Sequence, residues 1–416
     1  MNHPTSAKKN GLLKAASALV AVVLASTVMA GPAHAAVTIT GSGSTAVKNL
    51  LDVCIPDYLK ASGNTVVYAG GGSGAGRLAF TAGTVDFAFS DAAYGSTEAK
   101  PADFVYVPNV AFPIAIMINL PGFSGDINLS AKTLSAIYAG KITVWNDKAI
   151  VADNNKTVKE PVYSKEDVIS MRAVIDPKTK KAKKDKKGKT VMEKYVSGTK
   201  DVANGTKDVV VEAKLPATPI TVWYRSDKSG STGILTNWMT KLDPTVWTKA
   251  GSAGQQTFTS AFPADALPAG TFQGGQGSDG VANGVASKDG SIGYAETSYA
   301  TERKLLVAKI QNGAGEYVSP TPEATAVFLN NFASGARGTV VVDVASKVSG
   351  AYTLSSFSYG LGYGSSAKDK TKQAAVKEFM TYVLTTCATA NAVTKGYSPV
   401  SGALAAVAVA NIAEIG

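Results

Sequence analysis

Short apolar runs bounded by Gly, Pro, Asp or Asn recur along the first part of the chain, at residues 65–68, 85–89, 104–107 and 112–120. Their length and their β-branched or aromatic content predict strands. Between them the apolar spacing changes to that of helices, over 46–61, 76–81 and 131–138. Further on, the run 220–223 predicts a strand and 233–242 a helix. Residues 371–390 form an amphipathic helix, followed by a turn at Gly396-Tyr397-Ser398-Pro399. Alternation of strand and helix predicts parallel α/β layers, whose ligand sites gather at the carboxyl ends of the strands.

Two stretches break this rhythm. At the start, Lys8, Lys9 and Lys14 precede the apolar residues 15–30 and the small-x-small pattern Ala33-His34-Ala35. That is the pattern of a cleaved secretory signal over residues 1–35, with no lipid-acceptor cysteine at the cleavage point. Residues 151–219 hold a lysine-rich run flanked by β-like segments at 168–175 and 209–211, which predicts a protruding loop or hairpin. At 416 residues the chain is long enough for two domains. No other segment has the run of ~18 apolar residues that a membrane helix needs.

Charge sharpens this division. The formal net charge is +10. The leader contributes +3, and residues 178–189, with eight lysines and one aspartate, contribute +7. The rest of the mature chain is therefore neutral, which argues against a nucleic-acid-binding body. The lysine run reads either as a solvated tip or as a contact for polyanions or the cell surface. Both histidines, His3 and His34, lie in the leader, so Ser-His-Asp and Cys-His catalysis and histidine metal sites are excluded from the mature chain. Cys54 and Cys387 are the only cysteines. In an exported protein they pair, joining the first helix to a C-terminal one, or stay as two buried thiols; the sequence leaves both open.

The candidate chemistry lies in three donor-rich turns, each placed where a strand passes into a helix. They are Thr40-Gly41-Ser42-Gly43-Ser44-Thr45, Gly70-Gly71-Gly72-Ser73-Gly74-Ala75-Gly76, and Arg225-Ser226-Asp227-Lys228-Ser229-Gly230-Ser231-Thr232. Backbone N–H groups, hydroxyls and the positive end of a helix dipole converge at such turns and favour an anion. The nucleotide fingerprints are missing. Neither Gly41-Ser42-Gly43 nor Gly72-Ser73-Gly74 has a glycine three residues on, Gly188-Lys189-Thr190 lacks the upstream glycine of a phosphate-binding loop, and no G-x-S-x-G elbow surrounds Ser73. Asp91, in Ser90-Asp91-Ala92-Ala93 at the end of the 85–89 strand, narrows the choice of anion. A carboxylate repels an anion in a desolvated cleft unless the anion carries a proton to donate. Hydrogen phosphate does, and fully ionised sulfate does not.

These pieces together resemble the high-affinity phosphate-binding protein of bacterial phosphate ABC transporters, including the extracellular relatives called DING proteins. The resemblance also runs through Val85-Asp86-Phe87-Ala88-Phe89, Ile137-Tyr138-Ala139-Gly140-Lys141-Ile142 with Trp145-Asn146-Asp147, Gly277-Ser278-Asp279-Gly280-Val281 and Gly290-Ser291-Ile292-Gly293-Tyr294. It implies a type II periplasmic-binding-protein fold, with two α/β domains, a hinge of two crossovers and a ligand cleft between them. The expected domains are 36–112 with 297–416, and 113–296 carrying the insertion 151–219. The resemblance implies that phosphate is bound by the Thr45 hydroxyl, the Ala46 N–H, Ser73, Asp91 as proton acceptor, Arg225 (paired with Asp91), and Ser229, Gly230 and Ser231. Ala46 replaces a bulkier residue frequent in the family, and Ser231 stands where threonine is common. No metal or cofactor is implied. The implied partners are inorganic phosphate and an ABC transporter permease, and the location is periplasmic or secreted. A surface interaction protein on the same fold, or a phosphate-ester hydrolase, are the competing readings. The second lacks a histidine and an evident nucleophile–base pair.

Overall fold

In the computed structural model, residues 36–416 are described, apart from 331, 333, 334 and 368. The leader therefore lies outside the described residues. The main sheet runs in the order Thr65–Gly70, Thr38–Gly43, Phe87–Ser90, Ser355–Tyr363, Phe104–Asn119, Ser291–Glu296, Thr221–Arg225, Phe272–Gly275. The three strands at one end are mutually parallel, and so are the three at the other. In the middle, Ser355–Tyr363 and Phe104–Asn119 run antiparallel to their neighbours. The sheet is thus mixed, where alternation alone predicted parallel layers.

Phe104–Asn119 organises the whole molecule. It is buried on both faces almost throughout, as a near-continuous apolar sequence requires. Two strands were expected here, at 104–107 and 112–120, with Pro108 and Asn109 bounding the first. The strand passes through both. Pro108 lies opposite Tyr359, where the register with Ser355–Tyr363 slips at a bulge, and a bulge tolerates the missing N–H. Pro113, opposite Ser355, is the last residue of that pairing; from Ile114 to Asn119 the partner becomes Ser291–Glu296. One strand is therefore shared by both halves of the sheet.

Helices Lys48–Ser62, Ser73–Thr81, Gly230–Leu242 and Gly277–Ser287 each follow a parallel strand directly. The expected C-terminal helix is Lys370–Tyr382, continued by a π-helical turn at Val383–Cys387 and by Ala388–Asn391. Cys54 and Cys387 form a disulfide, with Cα atoms 5.5 Å apart. The insertion is a hairpin of Lys156–Ala173 and Met192–Val211, which forms its own two-stranded sheet and exposes nearly every residue.

Candidate functional site

Four turns at the carboxyl ends of parallel strands meet. Three are those singled out in the sequence; the fourth follows Phe272–Gly275 and opens helix Gly277–Ser287. Each starts a helix whose first N–H groups have no intrahelical partner. The contacts between turns are close. The Gly74 N–H donates to the Lys228 carbonyl at 3.0 Å. The Thr45 hydroxyl lies 3.0 Å from that of Ser278 and accepts the Ser278 N–H at 3.2 Å. A Cβ on Gly230 would come within 2.7 Å of Asp91 Cβ and 2.8 Å of Ser73 Oγ, so only glycine lets these turns touch. Gly72 combines φ +91° with a Cβ direction that runs into Asp227 Oδ2, so its position also excludes a side chain.

Asp91 sits at the centre and is buried. Its Oδ1 accepts the Ser44 hydroxyl at 2.5 Å and the Ser358 hydroxyl at 2.9 Å, while Oδ2 accepts that of Ser73 at 3.0 Å. The Asp91 N–H donates back to Ser73 Oγ at 3.1 Å, fixing the pair. Burial pushes this carboxyl above its usual range, and the three serines and the Arg225 charge offset part of that rise. A carboxylate offers about four lone-pair sites. Three are filled by hydroxyls, which leaves Oδ2 able to accept one further proton-bearing group.

Arg225, equally buried, departs from the expected pairing with Asp91. Its Nε and Nη2 donate to Asp227 Oδ1 and Oδ2 at 2.7 and 2.5 Å, a two-pronged match to a carboxylate two residues away. Asp227 also accepts the Gly277 N–H at 3.0 Å. Burial works against both charges, yet their mutual bonds outweigh it: Arg225 is held above its ordinary value and Asp227 below. The fork leaves Nη1 unshared with Asp227 and directed to Ser278 Oγ at 3.5 Å. Asp91 acts on Arg225 only through its charge.

The remaining expected residues fall in the same cluster. Ser229 caps its helix, its Oγ accepting the Thr232 N–H at 3.2 Å. Ser231 Oγ is buried and has no hydrogen-bond partner among the described residues. A buried hydroxyl in that state is unfavourable by about 1–3 kcal/mol unless something fills its bond. The Ala46 N–H, expected to face the ligand, donates instead to Ser44 Oγ at 3.0 Å. Sequence reasoning missed Ser44, Asp227, Ser278 and Ser358. The first three stand inside the segments 40–45, 225–232 and 277–281. Ser358 carries no local signal, because its place beside Asp91 comes from strand pairing across 267 positions.

A family model described as the PBP superfamily domain matches residues 30–386. The phosphate-binding protein PstS of Xylella fastidiosa is 27% identical over 296 residues, covering 71% of this chain and 63% of the relative. The chain thus spans less than two thirds of that relative's length. The phosphate-binding protein PstS of Methanocaldococcus jannaschii is 27% identical over 372 residues, covering 84% and 79% of the two chains. A solved phosphate-binding protein from Stenotrophomonas maltophilia shares the fold, with a TM-score of 0.58, 19% identity, and coverage of 91% and 94%.

Proposed function

The chain belongs to the PBP superfamily and has its type II fold, and from that premise we propose that it captures inorganic phosphate where the four turns meet. The observation that carries this reading is Asp91, locked by three serine hydroxyls and pressed against the turn that bears the unpartnered Ser231 hydroxyl. Around an anion placed there, the helix starts, Arg225 Nη1 and the Ser231 and Thr45 hydroxyls supply donors. The open lone pair of Asp91 supplies an acceptor. A protonated oxyanion satisfies both sides, and a fully ionised one leaves Asp91 facing like charge. Capture is non-covalent.

We assign the walls to two lobes, 36–112 with 297–416 and 113–296. In support of that division, Phe104–Asn119 changes partner after Pro113, and Thr45, Ser73 and Asp91 fall on one side of the change in sequence while Arg225, Ser229, Gly230 and Ser231 fall on the other. A ligand touching both walls favours the closed arrangement. Export through the leader and delivery to an ABC transporter permease complete the proposal, and the relatives from Xylella fastidiosa and Methanocaldococcus jannaschii are named as phosphate-binding proteins.

Titration calorimetry with phosphate and sulfate tests it. The wild type should bind phosphate far more tightly than sulfate. Asp91→Asn, which can turn a donor toward sulfate, should narrow the gap by about 1–3 kcal/mol, or roughly 5- to 150-fold. Equal affinities for the two anions in the wild type would overturn the reading.

A further inference from the structure

The hairpin of Lys156–Ala173 and Met192–Val211 plays no part in the site. Its strands reach 18 and 20 residues, so at ~3.3 Å per residue it projects by about 60 Å. A two-stranded ribbon with both faces in water is at best marginally stable by itself. Its shaft compensates with charges set opposite one another: Lys159 with Asp208, Lys165 with Asp201, Arg172 with Glu193, Glu166 with Lys200, and Glu160 with Lys207. Seven basic and six acidic residues make the shaft almost neutral.

The distal end differs in two independent ways. The first is charge. Eight exposed lysines at 178–189 meet a single aspartate, Asp185, and among the described residues none of the eight takes part in an ion pair. The tip's carboxylates are spent on shaping it. Asp185 Oδ1 accepts the Lys187 and Lys189 N–H groups at 2.8 and 2.9 Å, and Asp176 Oδ1 accepts those of Lys178 and Thr179 at 2.8 and 3.1 Å. The lysines are thus presented by two ordered turns, with two carboxylates against eight lysines.

The second is an apolar face. Register places Ile169 opposite Val196, Met171 opposite Lys194 and Ala173 opposite Met192, so these six residues share one face of the ribbon. Ile169, Met171, Met192 and Val196 are each 46–54% exposed, and so is Ile175 in the tip itself. The opposite face carries Ser170, Tyr195, Arg172 and Glu193, with Arg172 paired to Glu193 and stacked over Tyr195. The distal third is therefore amphipathic, with unpaired lysines at its end.

We propose that this distal third docks on an anionic lipid bilayer. The apolar face lies in the headgroup–acyl boundary, and the lysines meet the lipid phosphates. Apolar burial and electrostatic attraction add at such an interface, and each lysine held near the surface strengthens the electrostatic part. A soluble polyanion would use the lysines alone and gain nothing from Ile169, Met171, Met192 and Val196. That face is what selects a membrane over a free polymer.

The test is flotation of the mature protein with phosphatidylcholine vesicles, with and without one third phosphatidylglycerol. The expected result is binding to the phosphatidylglycerol vesicles alone, weakening as salt is raised. Replacing Lys181, Lys183, Lys184, Lys186 and Lys187 by Gln should reduce partitioning more than about tenfold. Ile169→Ser/Met171→Ser/Val196→Ser should reduce it severalfold with all lysines present. Phosphate titration of each variant reports that the protein remains folded. Equal binding to both vesicle types overturns the proposal. So does full binding by either variant, or inorganic polyphosphate binding that both the wild type and the serine variant show without any vesicle affinity.

Discussion

At the scale of single residues, the site holds one group with no evident part in anion binding. Glu296 ends the strand Ser291–Glu296 and is fully buried. Its Oε1 accepts the Ser298 hydroxyl at 3.3 Å and that of Tyr397 at 3.5 Å, while Oε2 has no partner among the described residues. Burial, with the charge of Asp91 adding to it, pushes this carboxyl well above its usual range, and burial raises Asp91 as well. Between the unfolded and the folded values, each of these groups binds more protons in the folded state than in the unfolded chain. Their contribution to stability is therefore complete below the unfolded carboxylate values and is lost as pH rises through the folded ones. Asp227, held low, contributes the opposite slope, lost only as pH falls through its depressed value. The thermal midpoint of ligand-free protein should fall as pH rises above the ordinary carboxylate range. Glu296→Gln, neutral at every pH and nearly the same shape, should flatten most of that fall and leave the share due to Asp91. Thermal scans across pH decide this, and an unchanged slope in the variant would refute it.

At the scale of elements, what the sequence disclosed follows how local each determinant is. The donor-rich turns were legible because three of them recur, each between a strand and a helix, whereas one alone reads as an ordinary loop. The Ala131–Tyr138 helix matches its expected limits. The hairpin was legible from its break in rhythm. The fusion of two expected strands was not, since the bulge that accommodates Pro108 depends on a partner some 250 positions away. The partner of Arg225 was misread for a similar reason. A carboxylate two residues along the same turn holds the fork more easily than one delivered by another part of the fold. The disulfide belongs to this scale too, because it ties helix Lys48–Ser62 to the turn Val383–Cys387 across 333 positions. Cross-linking so long a loop restricts the unfolded chain strongly, and losing such a bond typically costs about 2–5 kcal/mol. The double variant Cys54→Ser/Cys387→Ser, which leaves no stray thiol, should lose stability of that size in urea unfolding. A loss of under about 1 kcal/mol would show that the packing of the two helices already holds them together.

At the scale of the whole molecule, charge and burial divide the chain in the same place. The site is an arrangement of buried groups in a neutral body, whereas the positive charge of the mature chain is concentrated on a ribbon that buries almost nothing. The ribbon leaves and re-enters the body at one point. Lys156 pairs with Val211, the Asn155 side chain accepts the Ala213 N–H at 3.0 Å, and Val144 bridges Pro219 nearby. Its two ends are thus already neighbours, so a two-residue Asn-Gly turn can replace residues 156–211 without stretching either flank. The body then keeps its strand order, its disulfide and every contact of Asp91 and Arg225. Phosphate affinity by calorimetry and the thermal midpoint should both stay at the wild-type level, while flotation with phosphatidylglycerol vesicles should disappear. If the shortened protein bound phosphate tenfold more weakly, the hairpin would have to act on the proposed site. If it kept its vesicle binding, the surface that meets the bilayer would lie on the body instead.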